Sequence, residues 1–204
     1  DDIDAPAHIS NYCNRGKVII ENIVQLAPVG SSPYHSYTCL GGLVGRAAAY
    51  EVTNCENHAD IIMRNVNRKF GLFYIGGIVA YNTNRVDSNT SNLFGNINNC
   101  VNYGNVLVGQ DGDVTVHGLG LGGIIGRSQW GGCEKLTNNG AFKVKATMYD
   151  PFATGEYTKS WEEQVNGATN TIDFVAIGGV QAFAQSNMAV GFDAYYLLNN
   201  GNMD

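Results

Sequence analysis

A six-residue phrase recurs four times along the chain: Leu40-Gly41-Gly42-Leu43-Val44-Gly45, Ile75-Gly76-Gly77-Ile78-Val79-Ala80, Leu121-Gly122-Gly123-Ile124-Ile125-Gly126 and Ile177-Gly178-Gly179-Val180-Gln181-Ala182. An internal repeat constrains a fold more than any other sequence feature, because each unit must bury its apolar face against the next copy of itself. A second phrase alternates with the first: Asn14-Arg15-Gly16-Lys17-Val18, Asn57-His58-Ala59-Asp60-Ile61, Asn102-Tyr103-Gly104-Asn105-Val106, Asn138-Asn139-Gly140-Ala141-Phe142 and Asn199-Asn200-Gly201-Asn202-Met203. The residues before each Asn extend the match, as in Ile9-Ser10-Asn11-Tyr12-Cys13 and Ile97-Asn98-Asn99-Cys100-Val101, more loosely over 133–137 and 194–198. Successive glycine phrases start their first glycines 35, 46 and 56 residues apart. Constant phrases with variable spacers describe a stack of β units carrying loop insertions.

Asn-x-Gly is turn chemistry, since both residues tolerate left-handed backbone. Stacked turns would place Asn14, Asn57, Asn102, Asn138 and Asn199 in one column, where side-chain amides can hydrogen-bond along the stack. In the glycine phrase the fourth residue (Leu43, Ile78, Ile124, Val180) is always aliphatic and is placed inside. The sixth (Gly45, Ala80, Gly126, Ala182) is always small and is placed on the same inward face, at a tight corner. The fifth (Val44, Val79, Ile125, Gln181) tolerates a polar group and is assigned outward. Alternation then sends Arg46, Tyr81, Arg127 and Phe183 outward as well, as a stripe of cations and rings able to make cation–π contacts.

With both phrases in hand, the sequence resembles the GLUG-type repeats. Their consensus runs roughly Gly-Gly-Leu-Val-Gly-Tyr-Asn, a spacer, Ile-Ser-Asn-Cys-Tyr, a short turn and Gly-Asn-Val. Residues 41–45, 76–82 and 97–106 match best, and 133–142 and 194–203 depart most. Repeats of this kind occur in large bacterial surface and secreted proteins, including Bacteroidota adhesin-like proteins and the non-catalytic region of IgA-cleaving metallopeptidases. The resemblance implies an extracellular or cell-surface β-solenoid module for display or adhesion, and it carries over no catalytic residue. The fold expected is one all-β domain over 1–204, a right-handed parallel β-helix (β-solenoid) of about four coils with loop insertions.

The insertions fall at 25–38, 82–96, 107–118 and 147–173, and 160–165 could form a short helix with a Ser N-cap. A net charge of −6, with no basic stripe, excludes nucleic acid as the main partner. Arg64, Arg68 and Lys69 read as a solvated loop. No apolar run approaches the ~18 residues of a membrane span. The chain opens on Asp1-Asp2 with no signal-peptide pattern and is expected to be a processed product or a piece of something longer. Open solenoid ends are sticky, so the expected partners are other protein subunits, or the rest of a longer chain, covering those ends.

The five cysteines interchange with Leu, Ile and Val across the repeats and read as free, buried thiols, with a Cys55–Cys100 bridge as the alternative. The histidines (8, 35, 58, 117) read as surface or turn residues without metal-ligand spacing, and no Cys-x-x-Cys occurs, so no metal and no cofactor are expected. Asp111-Gly112-Asp113 lacks the rest of a calcium loop and reads as an acidic turn. Glycoside hydrolysis needs two carboxylates ~5–10 Å apart. The candidates, Asp150, Glu156, Glu162, Glu163 and Asp173, sit in one insertion rather than on rigid strands. Sugars stack on rings and hydrogen-bond to polar side chains, which makes Arg46, Tyr81, Arg127, Trp130, Tyr157 and Trp161 the candidate ligand-binding residues. The alternative is that rings from the insertion fold back over Val44, Val79 and Ile125. The function expected is a non-enzymatic surface module for adhesion, surface assembly or glycan capture. A carbohydrate-active β-helix enzyme and a purely structural subunit of a larger surface complex are the rivals.

Overall fold

Short strands punctuated by Asn and Gly cannot bury a face alone, and each finds its partner one repeat away. The computed structural model describes residues 7–25, 37–48, 50–83, 96–129, 132–149, 175–185 and 194–202, and these are all-β, without a helix among them. Three sheets form, and every strand pairing in them is parallel. The turn sheet stacks Ala7–Ser10, Tyr50–Thr53, Asn96–Asn98, Gly132–Asn138 and Ala194–Asn199, with Cys13–Asn14, Glu56–Asn57 and Val101–Asn102 continuing the first three. The long sheet is centred on Ile61–Gly76, flanked by Val18–Gln25 and Tyr37–Gly41 on one side and by Val106–Val108 and Val114–Gly122 on the other. The corner sheet stacks Val44–Ala48, Val79–Thr83, Ile125–Gln129 and Gln181–Gln185. The chain visits turn, long and corner sheets in that order and then begins the circuit again.

The register follows the repeat alignment. Asn14 pairs with Asn57, Asn57 with Asn102, Asn102 with Asn138 and Asn138 with Asn199. Val18, Ile61, Val106 and Phe142 form the next column, and Gly41, Gly76, Gly122 and Gly178 another. The expected amide ladder forms. Nδ2 of Asn14, Asn57, Asn102 and Asn138 each donates to Oδ1 of the next Asn, over 3.0, 2.8, 2.8 and 2.9 Å. Asn57, Asn102 and Asn138 also close their own turns by donating to the carbonyls of Ala59, Gly104 and Gly140. The left-handed residues are elsewhere, however. Positive φ falls on Asn11, Asn54, Asn99 and Lys135, three residues before the ladder, and on Asn22 and Asn65. The x-Gly glycine is needed for clearance instead: a Cβ on Gly104 would land on the Ala59 carbonyl.

Two cores result. One lies between turn and corner sheets and holds Val52, Cys55, Ile97, Cys100, Leu136, Ile78, Val79, Ile124 and Ile125. The other lies within the long sheet, whose strands curl so that Ile61, Met63 and Val66 face Phe73 and Ile75. The inner column of Ile78, Ile124 and Val180 is buried as expected, with Leu43 partly buried at its end.

The outward assignment of the fifth position is overturned, since Val79 and Ile125 are fully buried in that first core. The backbone gives the reason. The N–H groups of Ile78 and Val79 both donate to the Ile124 carbonyl, at 3.0 and 2.9 Å, and those of Ile124 and Ile125 both donate to Val180. Two successive donors on one acceptor mark a corner where the chain leaves regular strand geometry, so period-two alternation is not kept and Ile78 and Val79 both turn to the same core. The sixth residue consequently leaves the core, correcting its inward assignment. Ala80 packs on Leu72, Tyr74 and Cys39, on the back of the long sheet. Smallness is required because a Cβ on Gly126 would lie 2.6 Å from the Ile75 carbonyl oxygen. Because Val79 and Ile125 face the turn sheet, no insertion is needed to cover them.

Arg64, Arg68 and Lys69 are not a loop but part of Ile61–Gly76. Arg68 is buried with its guanidinium 5.0 Å from the Phe73 ring centre, donating to Gln25 (2.8 Å) and Thr38, and burial lowers its pKa. His117 is likewise buried against the Tyr149 carbonyl, whereas His8 and His58 are exposed as expected. His35, the 160–165 segment and most of the 147–173 insertion lie outside the described residues.

Candidate functional site

Tyr74 sits between two core residues, Phe73 and Ile75, so strand alternation turns its ring to the back of the long sheet. The Gly76-Gly77 corner then lays Val79–Thr83 across that back and brings Tyr81 to Tyr74, with ring centroids 5.7 Å apart. Small residues make this possible: Gly120, in register with Tyr74, would put a Cβ 3.0 Å from the ring. Arg46, Tyr81, Arg127 and Phe183 stack in register as expected, and of Phe183 only the backbone is described. Arg127 lies 5.0 Å from the Tyr81 centroid and 5.2 Å from that of Tyr74, and donates to the Tyr74 hydroxyl at 2.8 Å. Arg46 lies 5.3 Å from Tyr81 and 5.7 Å from Tyr37, while the Tyr81 hydroxyl donates to Gln129. Burial raises the pKa values of Tyr74 and Tyr81, and Arg127 pulls both partly back.

The stripe is therefore mostly a brace. Tyr81, assigned outward, is only 4% exposed, because its ring is sandwiched by the arginines and by tyrosines of the long sheet. Arg46 and Tyr37, the latter 39% exposed, are what solvent meets. Sequence reasoning missed Tyr37 and Tyr74, which stand four and two residues before the first glycine of their phrases. Their signal is weak, since the column of Tyr74 holds Cys39 and Gly120 in neighbouring repeats. Trp130, Tyr157 and Trp161 lie outside the described residues.

The second notable surface is the edge formed by the first strands. Tyr12 occupies the column of Cys55, Cys100 and Leu136, since its flanking residues pair Ser10 with Thr53 and Cys13 with Glu56. Those three are fully buried, yet Tyr12 is 61% exposed. Ile9, Val18, Ile20, Ile23, Leu40, Leu43 and Val44 are only partly buried against the same cores. Along Val18–Gln25 the Val18 N–H donates inward to Asp60, so alternation points the Ile19 N–H toward the side on which no strand among the described residues pairs.

The thiols are free. Cys55, Cys100 and Cys133 are buried, Cys39 is half-buried and Cys13, expected inside, is exposed because its column, with Glu56, Val101 and Thr137, lies on the outer face of the turn sheet. Cys55 and Cys100 are unbridged, each directing its sulfur to backbone carbonyls, 3.2 Å to Thr53 and 3.3 Å to Asn98. Burial pushes the Cys100 thiol to about 12 and those of Cys39 and Cys133 to about 11, so these sulfurs are poor nucleophiles. Asp111 and Asp113 are both exposed.

Comparison with known families matches the GLUG motif over residues 36–62, a span holding the first glycine phrase and the second turn phrase. No curated protein and no solved structure matches the chain.

Proposed function

We propose that this GLUG-type repeat chain is a non-enzymatic, extracellular or cell-surface module that works in surface assembly by docking a further β layer on its open edge. The observation that carries this reading is the exposure of Tyr12 and the half-covered apolar residues beside it, at column positions that are closed in the next repeats. Unpaired strand groups over partly covered apolar side chains form a template for another β layer, from a longer chain or a second subunit. We take the architecture to be a right-handed parallel β-helix of about four coils. It is supported by the cyclic order of the sheets, the all-parallel pairing and the right-handed rule for parallel crossovers.

Ile19→Pro tests the docking. Proline removes an N–H that points away from Ile61–Gly76, to the side without a described strand, and leaves the ladder to Ile61–Gly76 intact. The wild-type chain is expected to associate with rising concentration in sedimentation runs. The variant is expected to stay monomeric with a melting temperature within about 2–4 °C of wild type. A wild-type chain that is monomeric at every concentration sinks assembly through this edge. Glycan capture is the second reading, favoured by the exposed Arg46 beside the exposed ring of Tyr37. It expects sugar binding on a glycan array that is lost in Arg46→Ala.

A further inference from the structure

Parallel stacking assembles a three-residue constellation that neither repeat contains alone. Cys13 pairs in register with Glu56 on the neighbouring strand, and His58 follows Glu56 by two residues, which keeps it on the same side of the backbone. The Cys13 sulfur, a Glu56 carboxylate oxygen and a His58 ring nitrogen all lie within 4.8 Å of one another. His58 is held in place: its Nε2 is 2.7 Å from Glu56 Oε2 and its ring stacks on Tyr103 at 4.5 Å and 19°. Nothing in the ladder or the cores uses these three side chains.

We propose that Cys13, Glu56 and His58 form a zinc site on the outer face of the turn sheet. A thiolate, an imidazole and a carboxylate make a mixed soft and borderline donor set that suits Zn²⁺ and disfavours the all-oxygen preference of Mg²⁺ and Ca²⁺. Zinc takes the place of the proton bridging His58 and Glu56, and Cys13 binds as thiolate with its proton leaving to solvent. Three protein ligands leave the fourth tetrahedral position to water. The ion would pin the two-residue strand Cys13–Asn14 to Glu56–Asn57. No metal-ligand spacing exists in the sequence because the ligands come from successive repeats.

The experiment is a Co²⁺ and Zn²⁺ titration of the whole chain, purified metal-free and kept reduced with a non-chelating phosphine. One Co²⁺ per chain is expected, with a near-ultraviolet thiolate-to-cobalt charge-transfer band that Zn²⁺ abolishes. Zn²⁺ should also raise the melting temperature. Cys13→Ser is expected to lose the band, and Glu56→Gln and His58→Gln to weaken binding at least as much as the roughly 10–100-fold cost of losing an outer-shell partner. All three positions are exposed or half-buried, so the metal-free variants should melt as wild type does; Cys39→Ser should keep the band. The proposal is overturned by a wild-type chain without the band, by a band that survives Cys13→Ser, or by Zn²⁺ affinity unchanged in Glu56→Gln and His58→Gln.

Discussion

Gly77→Ala is expected to cost about 4 kcal/mol or more, against a total stability of about 5–15 kcal/mol for a domain, and to leave little folded protein under mild denaturant. A Cβ at this position would land on the Gly123 carbonyl oxygen of the next repeat and 2.8 Å from the Asn102 amide nitrogen. Overpacking among side chains costs about 1–3 kcal/mol because the neighbours can rotate away. Here they cannot. Gly123 is held by its own bond to Gly178, and Asn102 is clamped between Asn57 and Asn138. The same methyl at Gly16 meets only Asn14 Oδ1, at 3.8 Å, so Gly16→Ala is expected to stay within about 0.5 kcal/mol of wild type. Urea midpoints of the two variants decide it, and equal midpoints would sink the clearance account.

This clash shows why the two phrases travel together. The second glycine of each corner packs on the ladder Asn of the following turn: Gly42 on Asn57, Gly77 on Asn102, Gly123 on Asn138 and Gly179 on Asn199. Register was legible in the sequence because like residues stack on like, so aligning the repeats on their Asn and Gly positions is equivalent to pairing the strands. What was not legible arose where a local rule was carried through an irregular corner. Period-two alternation placed Val79 outside, but the corner at Ile78–Val79, where both N–H groups donate to one carbonyl, resets the period. Burial of Arg68 and His117 depends on how the long sheet curls, which no repeat phrase encodes. Tyr12 is exposed because it stands at an edge of the described stack, although its column is buried in the next repeats, as Cys55, Cys100 and Leu136. Cys13 is exposed because its column, with Glu56, Val101 and Thr137, alternates to the outer face of the turn sheet. The Cys13, Glu56 and His58 cluster was invisible for the complementary reason, since its members become neighbours only after stacking.

The ladder itself gives the sharpest test of how the stack is held. Asn102 donates Nδ2 to Asn138 Oδ1 (2.8 Å) and to the Gly104 carbonyl (2.7 Å), and accepts from Asn57 Nδ2 (2.8 Å), all in a buried column. Asn102→Ala strands the partners of three bonds, and each buried polar group left unpaired costs about 1–3 kcal/mol. Asn57 keeps its bond to Ala59 and Asn138 keeps the one from Gly140, which limits the expected loss to about 3–5 kcal/mol. Asn14→Ala removes the half-buried end of the same column and is expected to cost about 0.5–1.5 kcal/mol. Asn102→Asp separates amide donation from shape. The carboxylate can still accept from Asn57, but its second oxygen faces the Asn138 and Gly104 oxygens and cannot donate. Surrounded by neutral amides and carbonyls, this acid would ionise in the folded state above its unfolded value of about 3.9. The folded state then binds the proton more tightly, so the destabilisation is complete at neutral pH and recedes as pH falls through the folded pKa, where a protonated carboxyl can donate again. Denaturation midpoints relative to wild type at neutral and mildly acid pH read this directly. A deficit that does not shrink on acidification would mean that the column is held by packing rather than by donation from one amide to the next.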